Sequence, residues 1–375
     1  MRIFFAVPRS AWVDANLRRS LESMGHELVR FSFPGWPDDA DPDWRRRGKP
    51  DTNERLLRAV RRAHAERPLD LFYGYLYSSV AYPETLDEVR RTGVPTVNFS
   101  CNNVHQFELV APLANHVDLN VVPERSALAK FLALGAPTAR IQLAANPALY
   151  RPLPEPRMFD VTFVGQRYAD RADFLVHLRR AGIAVRAWGA GWQTRKRWDV
   201  ATLRAAWSFV EDERLDGVRR LVEQRARRNG QAVPSDPVDD GLEGEVARFG
   251  GPRLTQRDLV RTFSRSRISL GFATAGHSHR GSQRLTHLRL REFEAPMSGA
   301  LFLAEDQEEL AEYFAIGQEV LTYTDRDDLL DIVRYYLAHP ELAERVRRAG
   351  RKRAVSEHTW AHRFRELFDT LGLRQ

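Results

Sequence analysis

The chain has 375 residues, 43% of them apolar and 29% charged, a balance that fits a soluble globular protein of two domains and excludes global disorder. Its single cysteine, Cys101, excludes an intramolecular disulfide framework and a cysteine-rich zinc site. The net charge of +7 comes from 57 basic residues, of which only Lys49, Lys130, Lys196 and Lys352 are lysines. Arginine spread along the whole chain reads as compositional background plus a local anion site, and argues against a concentrated nucleic-acid-binding face.

The N-terminal stretch Met1–Val7 is too short for a signal-peptide core and is stopped by Pro8-Arg9, so it reads as a first strand of a cytoplasmic protein. No apolar run approaches the roughly 18 residues needed to span a bilayer. A helix over Ala15–Met24, closed by Gly25, and a strand over Glu27–Phe33 follow. Asp41–Pro50 reads as loop, and Asn53–Glu66 as an arginine-rich amphipathic helix ending before Pro68. Strands over Leu69–Leu76 and Pro95–Phe99 flank a helix over Pro83–Arg91. The pattern repeats with Val117–Val122, Ser126–Leu134 and Ile141–Ala144. Such alternation predicts a parallel sheet covered by helices on both faces.

Four prolines between Asn146 and Pro156 predict a stiff linker. The alternation restarts with a strand over Phe159–Gly165, a helix over Asp170–Arg180 and a strand over Ala184–Trp188. Residues 194–250 break the rhythm and read as an inserted helical subdomain, either a plain surface element or one for acceptor specificity or homodimer formation. Beyond it come a helix at Gln256–Phe263, a strand at Ile268–Phe272, a helix at Leu288–Met297 and a strand at Ala300–Ala304. A helix at Glu308–Phe314, a strand at Val320–Tyr323 and helices at Asp327–Ala338, Pro340–Ala349 and His358–Leu371 complete the chain. The expected organisation is a first domain over 1–150, a second over 151–355 and a final helix over 356–375.

Ligands of open α/β sheets bind beyond the carboxyl ends of the strands. Three loops of the second half qualify. After the first strand, Gly165 allows close backbone approach, and Arg167 and Arg171, four residues apart, are either a solvated helix start or a diphosphate-binding pair on one helix face. In the second loop, Trp188 and Gly189 suit a flat ring against bare backbone, or else form a turn with core tryptophans. The third, Ala273–Gln283, is a polar loop with Gly281 and Ser282 before a helix, a setting that binds phosphate. On that helix, spacing predicts one face for His287, Arg291 and Glu294, with Leu290, Phe293 and Met297 in the core. Arg291 and Glu294 could simply pair, or bind phosphate and ribose hydroxyls respectively. His277 and His279 lack a ligand set of metal-binding spacing, so no metal site is expected.

The stretch Arg291-Glu292-Phe293-Glu294 with Gly299, the linker 146–152 and the strand start Asp160–Gly165 resemble the CgeB-like glycosyltransferases. So does the C-terminal run through Tyr335-Tyr336, His358-Thr359-Trp360 and Arg363-Phe364. The resemblance spans most of residues 95–192 and 254–370. It implies the GT-B fold, two Rossmann-like domains facing a cleft, and metal-independent transfer of a sugar from a nucleotide-diphosphate donor to an unknown acceptor, a small molecule, glycan or protein. No other cofactor is implied. Glu294 would hold the ribose, Arg291 and Arg167 the diphosphate, and the Trp188–Gly191 region the base. The last helix would cross back to the first domain. Retaining relatives often carry a second glutamate eight residues before the ribose glutamate; Thr286 stands there. Where relatives place an acid after the fourth strand, this chain has Asn102-Asn103, leaving His105 and Glu108 as candidate bases. A nucleotide-sugar epimerase of the same fold and a basic nucleic-acid-binding module are the rival readings.

Overall fold

The structure, a computed structural model, describes residues 1–35, 37, 40–193, 240–274 and 286–373. The first sheet holds β1 (Arg2–Pro8), β2 (Glu27–Phe33), β3 (Leu71–Gly74), β4 (Thr96–Phe99), β5 (Leu119–Val122) and β6 (Thr138–Arg140), in the order β2-β1-β3-β4-β5-β6. The second holds β7 (Phe159–Val164), β8 (Val185–Trp188), β9 (Gly250–Gly251), β10 (Ser266–Gly271), β11 (Leu301–Glu305) and β12 (Leu321–Tyr323), in the order β12-β11-β10-β7-β8-β9. Every pairing is parallel. Strands such as β1 and β11 are mainly apolar and buried on both faces because helices cover both sides of each sheet. In the second sheet the strand order reverses between β7 and β10, which opens a crevice at their carboxyl ends. The architecture is a two-domain α/β GT-B fold.

Among the described residues, several contacts tie the two lobes together. Ala145, before the linker, forms a parallel bridge with Thr359, and the Trp360 N–H donates to the Ala145 carbonyl at 3.3 Å. The final helix, Trp360–Thr370, lies against the first lobe: Trp360 meets Trp12 edge-on at 5.7 Å, Phe368 meets His26, and Arg363 Nε donates to the Gln142 carbonyl at 3.1 Å. On another side, Arg125 and Arg140 of the first lobe both pair with Glu312, at the end of a short 3-10 helix over Glu308–Glu312 in the second.

Several segments depart from the sequence reading. Asp41–Pro50 is not loop: a π-helical turn over Trp44–Gly48 runs into the helix Lys49–Glu66. Trp44 covers Gly48 and donates from Nε1 to the Ser79 carbonyl at 2.8 Å, so tertiary anchoring outweighs the polar composition. Ile141–Ala144 is not strand. The edge strand is β6, and the carbonyl of Gln142 serves Arg363 instead of a neighbouring strand. A helix over Asn103–Val110 forms where none was expected. The helix expected from Pro340 to Ala349 continues to Glu357. Residues 240–250 are no insertion: the helix Asp240–Val246 delivers the chain to β9, which pairs with β8. Residues 194–239 lie outside the described residues.

The helix expected from Leu288 begins only at Arg291. Residues 286–289 are not helical, with Thr286 bridging Thr274 and the His287 N–H donating to the Ala273 carbonyl at 3.3 Å. Arg289 holds this path by donating to the carbonyls of Phe272 and Thr274, at 3.2 and 2.8 Å. The helix Arg291–Met297 is buried from Glu292 through Met297, so its acidic residues are interior groups rather than a polar face. Glu292 accepts the Arg289 N–H at 3.0 Å. Burial pushes its carboxyl up to about 7 from an ordinary 4.5, against the opposing pull of Arg289.

Two tests follow from this packing. In the long helix Pro340–Glu357, Gly350 lies against the turn at Glu319, whose carbonyl oxygen would be 2.1 Å from an added Cβ. Gly350→Ala should cost about 1–3 kcal/mol in urea unfolding through overpacking; an unchanged midpoint contradicts that contact. Because Glu292 holds its proton more tightly when folded, its contribution to stability is fully present below about pH 4.5 and falls as pH rises to about 7. Glu292→Gln keeps an acceptor for Arg289 and removes that fall. The variant should melt above wild type at about pH 8, with the gap closing near pH 4. The buried His358, held down to about 4, gives the opposite slope, which the difference between the two proteins cancels. A gap independent of pH would refute the assignment.

Candidate functional site

The crevice between β7 and β10 collects the loops that follow them. The Gly165 N–H donates to the Trp188 carbonyl at 2.9 Å, and Trp192 Nε1 donates to the Gly165 carbonyl at 2.7 Å. Gly189 has φ +146°, and a Cβ there would lie 2.0 Å from the Gly165 oxygen, so only glycine lets these two strand ends come together. Trp192 is fully buried and belongs to the core. Trp188 is half-buried at the end of β8, edge-on to Phe159 at 5.4 Å.

Arg167 and Arg171 do not share a helix face. Arg167 lies in the loop, Ala169 takes φ +56°, and the helix starts at Arg171. The Arg167 guanidinium makes two bonds to the Glu243 carboxylate, at 3.0 and 2.6 Å. Arg171 is buried. It donates to the Gln166 carbonyl at 2.8 Å and the Tyr168 hydroxyl at 2.6 Å, and its guanidinium lies 3.8 Å from the Tyr168 ring centre. Burial lowers its pKa to about 10, so it stays cationic at neutral pH. The position of Arg171 is that of a scaffold for the loop, with its charge directed inward.

Arg291 and Glu294 are brought together as the spacing suggested. Arg291 Nη1 donates to Glu294 Oε2, and Arg291 Nε donates to the Val164 carbonyl at the end of β7, at 3.2 Å. The Arg291 side chain keeps 31% exposure, whereas Glu294 keeps 1%. The other carboxylate oxygen, Oε1, accepts the hydroxyl of Tyr150 from the linker, and that hydroxyl accepts from Gln256 Nε2 at 2.8 Å. His287 is not on this helix and is buried beside Ala273.

The loop ahead of that helix is anchored by Glu305, at the end of β11. Its carboxylate accepts the N–H groups of Ala273 and Thr274, at 2.9 and 3.0 Å, and the Thr274 hydroxyl at 2.9 Å. Gly281 and Ser282, with His277 and His279, lie outside the described residues. Sequence reasoning missed Tyr150, Gln256, Arg289 and Glu305. Only Glu305 carried a local signal, a carboxylate closing an apolar strand at the ligand-facing end.

In the first lobe, Asn102 follows β4 with φ +63° and leads into the helix bearing His105 and Glu108. Glu108 is exposed; the His105 side chain lies outside what the structure describes. The buried Glu124 accepts the Asn102 N–H and, at 2.9 Å, the Asn103 amide, while burial raises its pKa. Cys101 is a half-buried thiol, its pKa pushed up to about 12 by desolvation, that pairs with the Tyr75 hydroxyl at 3.0 Å. Among the described residues, no three His, Cys, Asp or Glu side chains could hold a metal ion, and no helix is long and apolar enough to cross a membrane.

Comparison with known structures agrees with the two-sheet architecture. Sucrose-phosphate synthase from Thermosynechococcus elongatus superposes with a TM-score of 0.57 at 13% identity, covering 99% of both chains. HepE from Anabaena, solved in complex with UDP-glucose, gives 0.56 at 14% identity, again over 99% of both chains. A glycosyltransferase from Rickettsia africae gives 0.56 at 10% identity, over 98% of this chain and 97% of that one. At such identities the likeness is one of fold. No curated protein sequence matches the chain. The model of the glycosyl transferase-like family matches residues 167–369, which hold β7's following loop, the Arg291–Glu294 pair and the closing helices. Over half the chain is covered by that match, and the chain belongs to the glycosyl transferase-like family.

Proposed function

We propose that the chain transfers a sugar from a nucleotide-diphosphate donor to an acceptor hydroxyl in the cleft between its lobes, without a metal ion or further cofactor. The observation that carries this is the pair Arg291–Glu294 at the reversal point of the second sheet: a partly open guanidinium at the end of β7 beside a carboxylate. A carboxylate accepts two hydrogen bonds from the vicinal hydroxyls of a ribose. A guanidinium meets phosphate oxygens in a planar, bidentate way. HepE, of the same fold, is described in complex with UDP-glucose, which supports a sugar nucleotide as the ligand here. The Arg291–Glu294 motif with Gly299 supports placing the chain among the CgeB-like members.

In this reading the chemistry is electrostatic. Departure of the nucleoside diphosphate builds negative charge, and fixed cations already in place stabilise it with little reorganisation. Arg291 serves first, and Arg167 joins once a phosphate replaces Glu243 as its partner. The base would pack by Trp188 and Gly189. In the first lobe, His105 or Glu108, on the helix that follows β4, would take the acceptor proton. The acceptor is a hydroxyl-bearing small molecule, glycan or protein.

The test is a binding panel of UDP, ADP, GDP and their glucose conjugates, read by thermal shift and titration calorimetry with and without EDTA. At least one nucleotide should raise the melting point equally in both conditions. Glu294→Gln should weaken it about tenfold or more, the scale of a hydrogen bond to a charged group, about 1.5–3 kcal/mol. Binding that requires Mg²⁺ would overturn metal independence. Binding indifferent to the Glu294 substitution would remove the ribose role.

A further inference from the structure

The Glu294 carboxylate is sealed from water, and each of its oxygens holds a partner. Its side chain is 1% exposed, Arg291 takes one oxygen and Tyr150 the other. Arg291 belongs to the same helix. Tyr150 is 144 residues away in sequence, on the segment that joins the lobes. That segment is fastened to the first lobe: the Asn146 amide donates to the Ala15 carbonyl at 2.7 Å, and the N–H groups of Leu149 and Tyr150 close a turn onto the Asn146 carbonyl. Asn16, from the first helix, also stands beside the Tyr150 hydroxyl. Within the second lobe Gln256 donates to that hydroxyl, which orients its proton toward Glu294.

A tyrosine O–H and a ribose O–H are the same kind of donor to a carboxylate. We propose that Tyr150 holds the place of a donor ribose hydroxyl on Glu294, so that a ribose-bearing ligand binds by displacing a linker side chain and Tyr150 sets the affinity for it. This rests on the reading of Glu294 as the ribose-binding carboxylate. A ligand that gains Glu294 gives up no net hydrogen bond count for the protein: one O–H leaves as another arrives. The contact therefore selects for ligands with enough other anchoring, the phosphates above all, to make the exchange favourable. Because Tyr150 is carried by a turn fixed to the first lobe, its release also loosens one tie between the lobes.

The experiment compares UDP and inorganic pyrophosphate binding to wild type, Tyr150→Phe and Glu294→Gln by calorimetry, with melting points of the ligand-free proteins. Phenylalanine keeps the ring and removes the competing hydroxyl. Tyr150→Phe should bind UDP about tenfold tighter, about 1.4 kcal/mol, bind pyrophosphate unchanged, and melt lower without ligand because Oε1 loses its partner. If Tyr150→Phe binds UDP no better than wild type while Glu294→Gln still weakens it, the displacement proposal fails and the ribose role stands. If Glu294→Gln leaves UDP binding intact, the ribose role fails and takes the proposal with it. A gain for pyrophosphate equal to that for UDP would mean general loosening of the cleft and would also refute the proposal. Should Tyr150→Phe not fold, Gln256→Leu frees the tyrosine hydroxyl from its orienting donor. It should tighten UDP several-fold without affecting pyrophosphate, and an unchanged UDP affinity counts against the proposal.

Discussion

A buried carboxylate held between an arginine and a tyrosine is the contact on which the rest of this molecule depends. Glu294 has almost no access to water, and an unpaired charge there would be strongly destabilising. Arg291 neutralises it, and Arg291 is itself tied to the carbonyl that ends β7. Tyr150 completes the set from the inter-lobe segment, with Gln256 behind it. One short helix, one strand end, the linker and the helix Gln256–Arg265 are thus registered against one another by a single polar chain. Chains of this kind fix geometry when every member is satisfied, and here every member is.

The same economy runs through the other cations near the β7–β10 reversal. Arg167 is held by Glu243, Arg171 by a carbonyl and the face of Tyr168, and Arg289 by two carbonyls of the loop that Glu305 also secures. The crevice therefore carries much positive charge with partners already assigned. Those partners differ in kind. Carbonyls and an aromatic face leave Arg171 and Arg289 as scaffold. Carboxylates leave Arg167 and Arg291 able to exchange one anion for another, which is what the proposed diphosphate role asks of them.

Much of the alternation of strands and helices was legible in the chain because central parallel strands such as β1 and β11 are buried on both faces and show as short, mainly apolar runs, whereas the short edge strands β6 and β9 carry no such run. The Arg291–Glu294 pairing was legible from its i, i+3 spacing. What spacing could not show were decisions made by distant contacts. The helix before Arg291 is forestalled by Arg289 reaching back to Phe272 and Thr274, and so His287 never joins its face. Trp44 finds Ser79 and turns a polar stretch into helix. Tyr150 looked like part of a proline-rich linker, and its partner stands 144 residues further on. Arg167 and Arg171 counted as neighbours only while a helix was assumed between them, and a left-handed Ala169 removes it.

The most direct check on this account is a crystal structure of the chain with a bound nucleoside diphosphate. The account places the ribose hydroxyls within about 3 Å of the Glu294 carboxylate, the diphosphate on Arg291 at the end of β7, and the Tyr150 hydroxyl withdrawn. A nucleotide seated elsewhere, with the Tyr150–Glu294–Arg291 chain undisturbed, would show that the carboxylate is a structural fastening and that the binding chemistry lies in other residues.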